Sequence, residues 1–190
     1  MSEHTRCLIL AAGFSRRFGS DKLLHRLPNG QRVIESTIHR YKTVCEHVSV
    51  VVRDGNVDLR LLLNDLGVAC VINNEAEQGM SRSIVSGVKS THPELGWLIG
   101  LADMPYVKSE TLRAILSCAQ KKTIVQPSFN GQRGNPVFFG ERFRSKLTQL
   151  SGDVGARHLI QRVKPSVVEL PCDDAGILQD IDTKQDLIDD

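Results

Sequence analysis

The strongest constraint in this chain is a run that must be hidden on both faces. Residues Arg6 to Ala11 (RCLILA) carry no polar alternation and stop at Gly13. A strand of that pattern belongs inside a parallel sheet, because only helices on both sides can cover both faces. The residues that follow repeat the alternation such a sheet needs. Val33, Ile34, Thr37, Ile38, Tyr41 and Cys45 fall at helical spacing after a turn at Asn29-Gly30, and His47 to Val52 is a second strand. Leu59, Leu62, Leu63 and Leu66 form another helical face closed by Gly67, and Ala69 to Ile72 is a third strand. A short helix over Ser81 to Lys89 starts at Gly79. Trp97 to Leu101 is a fourth strand, and a helix runs from Ser109 to Ala119.

Past Thr123 the alternation loosens. Thr123 to Gln126 and Pro136 to Phe139 predict two antiparallel strands around Asn130-Gly131. Helices over about 140–150 and 153–162, a strand Ser166 to Leu170 and a last strand Gln179 to Asp182 complete the pattern, with a terminal helix capped by Asp182 or Thr183. The fold class expected is α/β: a Rossmann-like single domain with a mostly parallel central sheet, helices on both faces and a small antiparallel element in its C-terminal half. In such sheets ligands sit beyond the carboxyl ends of the strands.

Composition narrows the partners. The 190 residues suffice for one core. A net charge of 24 − 22 = +2, scattered along the chain, leaves no footprint for nucleic acid or a membrane surface. Hydrophobic residues at 41% with 24% charged, and a mean hydropathy of −0.17, exclude a disordered chain and an integral membrane protein. No apolar leader precedes the first strand, and the five cysteines (Cys7, Cys45, Cys70, Cys118, Cys172) form no CxxC pair. They read as reduced core residues of a cytoplasmic protein. The six histidines fall in no evident triad, and no HExxH occurs.

Residues 10–22 read LAAGFSRRFGSDK. Ala11, Ala12 and Gly13 let the backbone approach a ligand, their N–H groups can cradle phosphate oxygens, and Arg16, Arg17 and Lys22 supply cations for a polyphosphate. Neither GxxxxGK[ST] nor GxGxxG is present, which argues against a P-loop NTPase and a Rossmann dehydrogenase. A solvated basic loop is the plainer reading; its position after the first strand favours nucleotide binding. Gly79 and Ser81 look like a helix start, either an ordinary cap or donors for a ligand. Asp103, at the end of the fourth strand in LADMP, is a candidate magnesium ligand or a surface turn residue. Asp180 and Asp182 would share one face of a strand, with or without a metal between them.

The loop resembles the LAAGxSxRxGxxK signature of the molybdenum cofactor nucleotidyltransferases, a branch of the nucleoside-triphosphate transferase fold. Leu10, Ala11, Ala12, Gly13, Ser15, Arg17, Gly19 and Lys22 fall on it; Arg16 occupies a free position. Five further segments follow in family order. NNEAEQGMSRSIVSG resembles NPxxxxGMxxSLxxG, through Asn73, Gly79, Met80, Ser83 and Gly87, with Asn74 for proline. LADMP resembles GDMP, with Ala102 for glycine, and RGNPVFF resembles RGHPVLF, with Asn135 for histidine. Residues 152–157 resemble GDxGAR, and DIDT resembles DIDTPED, with Lys184 for proline.

The resemblance implies residue roles. Leu10, Ala11, Ala12, Gly13, Arg17, Lys22, Asn73, Gly79 and Ser83 would bind nucleotide, with Arg17, Lys22 and Asp103 catalytic. Asn135, Pro136, Asp153 and Arg157 would bind the acceptor, and Asp103, Asp180 and Asp182 would hold Mg²⁺. For Asp153 a helix cap stands beside the binding role. The nucleotide-binding half would span about 1–105 and the acceptor half about 106–190.

LAAG, where guanylyltransferase members usually carry LAGG, favours CTP over GTP. The implied activity is transfer of CMP from CTP to molybdopterin, for delivery to a molybdoenzyme or its chaperone. A different NTP, a sugar phosphate acceptor, or a carrier of molybdenum cofactor without chemistry are the rival readings. Arg17, Lys22 and Asp103 together argue against the carrier, which has no use for the set.

Overall fold

The computed structural model describes residues 4–153 and 155–187. Its first half alternates as the pattern predicts: β1 (Thr5–Ala11), α1 (Val33–Lys42), β2 (Val48–Arg53), α2 (Val57–Asp65), β3 (Ala69–Asn73), α3 (Met80–Lys89), β4 (Gly96–Leu101) and α4 (Ser109–Ser117). The second half holds β5 (Ile124–Phe129), β6 (Gln132–Arg133), β7 (Val137–Gly140), α5 (Arg144–Thr148), α6 (Arg157–Arg162) and β8 (Val167–Pro171). The sheet order is β3-β2-β1-β4-β7-β5-β6, with β8 added against β5. β1 lies between β2 and β4, parallel to both, so it is buried on both faces as its composition demands.

Period-two alternation along β1 divides the interior. Cys7, Ile9 and Ala11 pack under α1, α2 and α4, whereas Leu8 and Leu10 pack under α3, α5 and α6. Helices therefore cover both faces of a mostly parallel sheet, the architecture expected of the sequence.

The antiparallel element exists and is larger than a hairpin. β5 and β6 pair around Asn130-Gly131, both with positive φ, the geometry of a tight two-residue turn. β7 then inserts between β4 and β5, antiparallel to both.

Three expectations are corrected. Residues 179–182 form no strand; they run extended beside the end of β4, tied by the Ile181 N–H donating to the Asp103 carbonyl at 2.9 Å. The segment after Thr183 is a single 3-10 turn, Lys184–Asp186, capped by Thr183, and the rest of the expected terminal helix lies outside the described residues. The cysteines are all free, but only Cys7 and Cys45 are core residues. Cys70 is exposed because β3 is the sheet's edge, and Cys118 and Cys172 are half-buried. Among the described residues no helix is long and apolar enough to cross a membrane.

Candidate active site

The loop after β1 is anchored by its apolar residues, which leaves its cations outside. Phe18 and Leu23 are buried in the core, and Phe18 packs edge-on against His25. Ser15 adopts a positive φ and Gly19 a larger one, so the chain doubles back between the anchors. Lys22 opens a 3-10 turn, Lys22–Leu24, whose cap is Asp21: its Oδ1 accepts from the Leu23 N–H at 3.1 Å. The other carboxylate oxygen of Asp21 accepts from Asn56 Nδ2 at 2.8 Å, and buried Asn56 in turn caps α2. Lys22 is thus held on a turn braced from a second element.

Across from it stands the end of β4. Thr37, buried in α1, donates its hydroxyl to the Ala102 carbonyl at 2.9 Å and fixes the backbone just before Asp103. Lys22 Nζ lies 2.6 Å from Asp103 Oδ2 and 3.0 Å from Asp182 Oδ1, with its side chain only 12% exposed. Arg17 reaches the other oxygen of Asp182 at 2.7 Å from the solvent side. Burial alone would lower the Lys22 pKa; Asp103 and Asp182 outweigh it and hold the ammonium above its ordinary value.

Asp180 joins the group. One carboxylate oxygen from each of Asp103, Asp180 and Asp182 falls within 4.8 Å of the others. Partial burial, then the like charges of Asp103 and Asp182, raise the Asp180 pKa. Three converging hard oxygen donors whose repulsion is only partly neutralised suit a divalent cation such as Mg²⁺.

Arg17, Lys22, Asp103 and Asp182 line a cavity of about 730 Å³ together with Leu10, Ala11, Gly13, Gly79 and Asp153; Asp180 stands beside it and is not part of its lining. Gly79 is required there: its φ is +98°, and a Cβ would come within 2.7 Å of Asp153. The close approach lets Asp153 Oδ1 accept from the Met80 N–H at 3.4 Å, so Asp153 caps α3 and faces the loop after β1 across the cavity. It does not cap the helix that follows it, as the local pattern suggested; α6 starts only at Arg157, without a side-chain cap.

A second cavity of about 800 Å³ meets the first at Leu10. It contains Asn135 and Arg157; Pro136 is buried beside it and does not line it. Asn73 and Ser83 line neither cavity. Both are buried, and the Asn73 amide donates to Ser83 Oγ at 3.1 Å, which ties the end of β3 to α3. Ala12 is buried behind the loop.

A family model described as the MobA-like NTP transferase domain matches residues 7–167. The chain belongs to that family. Among curated relatives of the MobA-like domain, it is 29% identical over 189 residues to the purine catabolism protein PucB of Bacillus subtilis, covering 94% of this chain and 92% of that one. It is 26% identical to a probable molybdenum cofactor guanylyltransferase of Aquifex aeolicus (98% and 90% covered) and 26% identical to the molybdenum cofactor cytidylyltransferase of Escherichia coli (96% and 93%). The crystal structure of Rv0371c from Mycobacterium tuberculosis superposes with a TM-score of 0.82 at 25% identity, covering 97% and 96% of the two chains.

The sequence reading of this MobA-like enzyme missed the residues that hold the site together. Asp174 is buried, and its carboxylate accepts from the Lys108 N–H (2.9 Å), Thr111 Oγ (2.6 Å) and the Gly176 N–H (3.0 Å). Those bonds fasten the segment carrying Asp180 and Asp182 to the start of α4. Asp186 completes the hold by accepting from the Asp182 and Thr183 N–H groups. Asp21 stood inside the quoted motif, so a search for caps would have found it; nothing in sequence spacing marks Asn56, Thr37 or Asp174.

Proposed function

We propose that this MobA-like chain transfers CMP from CTP to the terminal phosphate of molybdenum cofactor (molybdopterin), releasing pyrophosphate, with Mg²⁺ held by Asp103, Asp180 and Asp182. The observation that carries this reading is the set of cations and carboxylates at the ends of β1 and β4, beside a second cavity large enough for an acceptor. The names of the Escherichia coli and Aquifex aeolicus relatives supply the acceptor class.

An oxygen of the acceptor's phosphate attacks the α-phosphorus of CTP, a new P–O–P link forms, and the bond to the pyrophosphate oxygen breaks. A phosphate monoester is already largely dianionic near neutral pH, with a second pKa of about 6, so the chain needs no strong base. Its own residues act electrostatically. Arg17 neutralises charge developing at the α-phosphate, and the N–H groups around Gly13 cradle the remaining oxygens. Lys22 exchanges its carboxylate partners for phosphate oxygens. Asp103, Asp180 and Asp182 would hold the divalent ion, which would supply a Lewis acid for the triphosphate.

The preference for CTP rests on Ala12 in LAAG; the guanylyltransferase relative keeps GTP as the second reading. Residues 1–105 serve mainly the nucleotide and 106–190 mainly the acceptor, except that Asp153, Asp180 and Asp182 return to the nucleotide side. The product would pass to a molybdoenzyme or its chaperone. Pyrophosphate release from each of the four NTPs, with and without molybdopterin, tests the assignment. Release that needs molybdopterin and favours CTP supports it, and equal use of GTP removes the cytidine specificity.

A further inference from the structure

The second cavity has two unlike parts. Its floor is apolar and comes from the sheet and from α3 and α6: Leu10, Ile84, Ile99, Val137, Phe139 and Ile160. Such a floor suits the face of a flat ring. Its far wall is polar and is made by Gln126, Arg133 and Glu169, on three strands of the antiparallel half. Gln126 and Glu169 are register partners across β5 and β8, so both stand at one height on the sheet.

The wall is braced. Arg133 donates from Nε at 2.9 Å and from Nη2 at 2.7 Å, both to Glu169 Oε2. Arg133 and the hydroxyl of buried Ser128 hold the Glu169 carboxyl below its ordinary range. A carboxylate has about four acceptor sites, and a guanidinium on one oxygen leaves it able to take more donors. A cross-strand ion pair with side chains 39% and 49% exposed contributes only about 0–1 kcal/mol to folding, too little to account for a wall placed inside a cavity.

Strand spacing gives the reach. From β1, where the phosphate loop starts, three lateral steps through β4 and β7 lead to β5, about 14 Å, and β8 lies one step further at about 19 Å. A ligand with its phosphate at the loop and a ring at the wall must be of that length.

We propose that Glu169, braced by Arg133, is the specificity-determining group of the acceptor site, accepting hydrogen bonds from the amino and ring N–H donors along one edge of a flat amino-oxo heterocycle. This rests on the proposed function, since molybdopterin carries a 2-amino-4-oxo pterin ring with that edge. Glutamine at 169 keeps the size and one acceptor but presents an NH₂ to a donor edge, so one contact turns repulsive.

The test compares wild type with Glu169→Gln, after thermal melting shows both folded with midpoints within about 2 °C, as the weak ion pair predicts. Two readouts are needed. Titration of 6-hydroxymethylpterin, followed by its own fluorescence, should show binding weakened about tenfold or more in Glu169→Gln. Pyrophosphate release with molybdopterin should show the acceptor KM raised by a similar factor, with the KM for CTP unmoved. Equal pterin affinity and equal acceptor KM in the two proteins overturn the role of Glu169 while leaving the transferase reading intact. Pterin binding that depends on Glu169, without any transfer by wild type, supports the role and overturns the transferase reading. If wild type neither binds the pterin nor transfers, both are overturned.

Discussion

The two cavities that meet at Leu10 are built by different means. The first is made at the ends of adjacent parallel strands by charges that touch one another, Lys22 between Asp103 and Asp182 with Arg17 outside. Its shape comes from backbone turns at Ser15, Gly19 and Gly79. The second is made on the face of the sheet by side chains from both halves of the chain, with an apolar floor and one braced ion pair at its rim. The difference teaches where each kind of substrate information resides. Concentrated charge on a fixed backbone suits the phosphates that every nucleotide shares, whereas a ring must be read by individual side chains at stated distances. Substitutions in the first cavity should therefore change the rate of chemistry, and those in the second the choice of acceptor.

The largest expected effect is at Asp103. Asp103→Asn keeps the side chain's shape and should lower kcat by about 10³-fold, with a melting temperature within a few degrees of wild type. Pterin affinity, measured by fluorescence, should not change. A parallel loss of pterin binding would mean that the two cavities act as one site and the comparison fails.

Arg17 and Arg16 give the next test. Arg17 contacts Asp182, whereas Arg16 lies over the Phe14 ring at 5.4 Å. Arg17→Ala should cost about 10²- to 10³-fold in kcat, the size of one lost preorganised donor, and Arg16→Ala less than about tenfold. Steady-state kinetics at one salt concentration decide. If Arg16→Ala is the more damaging, the register of the loop is wrong.

The smallest effect concerns stability at Lys22. Its raised pKa means that its contribution is complete below its unfolded pKa, near 10.5, and is lost only as pH climbs through the folded value. Lys22→Met removes the buried cation among three carboxylates, and Asp180, already raised by partial burial and its like-charged neighbours, loses the one nearby charge that lowers it and is pushed further up. Carboxyls shifted upward destabilise when ionised and cease to do so once protonated. The variant should be about 1–2 kcal/mol less stable at pH 7, with the deficit shrinking toward pH 4. Urea unfolding at both pH values, without divalent ions, checks the sign; an equal deficit at both would make Lys22 a packing residue.

How much of this could be seen beforehand depended on whether the determinant was contiguous. The β1 run, the loop after it and Asp103 each occupy a few consecutive residues in or beside a strand, so pattern alone placed them in the fold. The place of β7 between β4 and β5 was hidden, because Val137 to Gly140 carry no mark of which strands they will pair with. The alternation around Ile181 looked like a strand, but the segment docks without a ladder, by single backbone bonds at Ile177 and Ile181, by the Asp174 carboxylate and by the two buried isoleucines themselves. Asn73 and Ser83 sit in a family motif, yet in the interior the Asn73 amide donates to Ser83 Oγ while its oxygen accepts from the Glu75 N–H and Ser86 Oγ, pairings that spacing does not reveal. Cys70 lies in an apolar stretch like the others and is exposed because β3 is the edge strand of the sheet.

Asp180 and Asp182 arrive on a segment that Asp174 straps down, long after the loop they complete. During synthesis Lys22 emerges first, and the sheet around it can assemble while its acidic partners are still to be made. A chain interrupted between residues 104 and 179 would carry the loop after β1 with Asp103 as its one acid from that trio. On the proposed roles such a fragment would keep the cations for a triphosphate and lack two of the three carboxylates that direct its cleavage. On the roles proposed above, the order of the chain would leave a half-made protein unable to spend nucleotide.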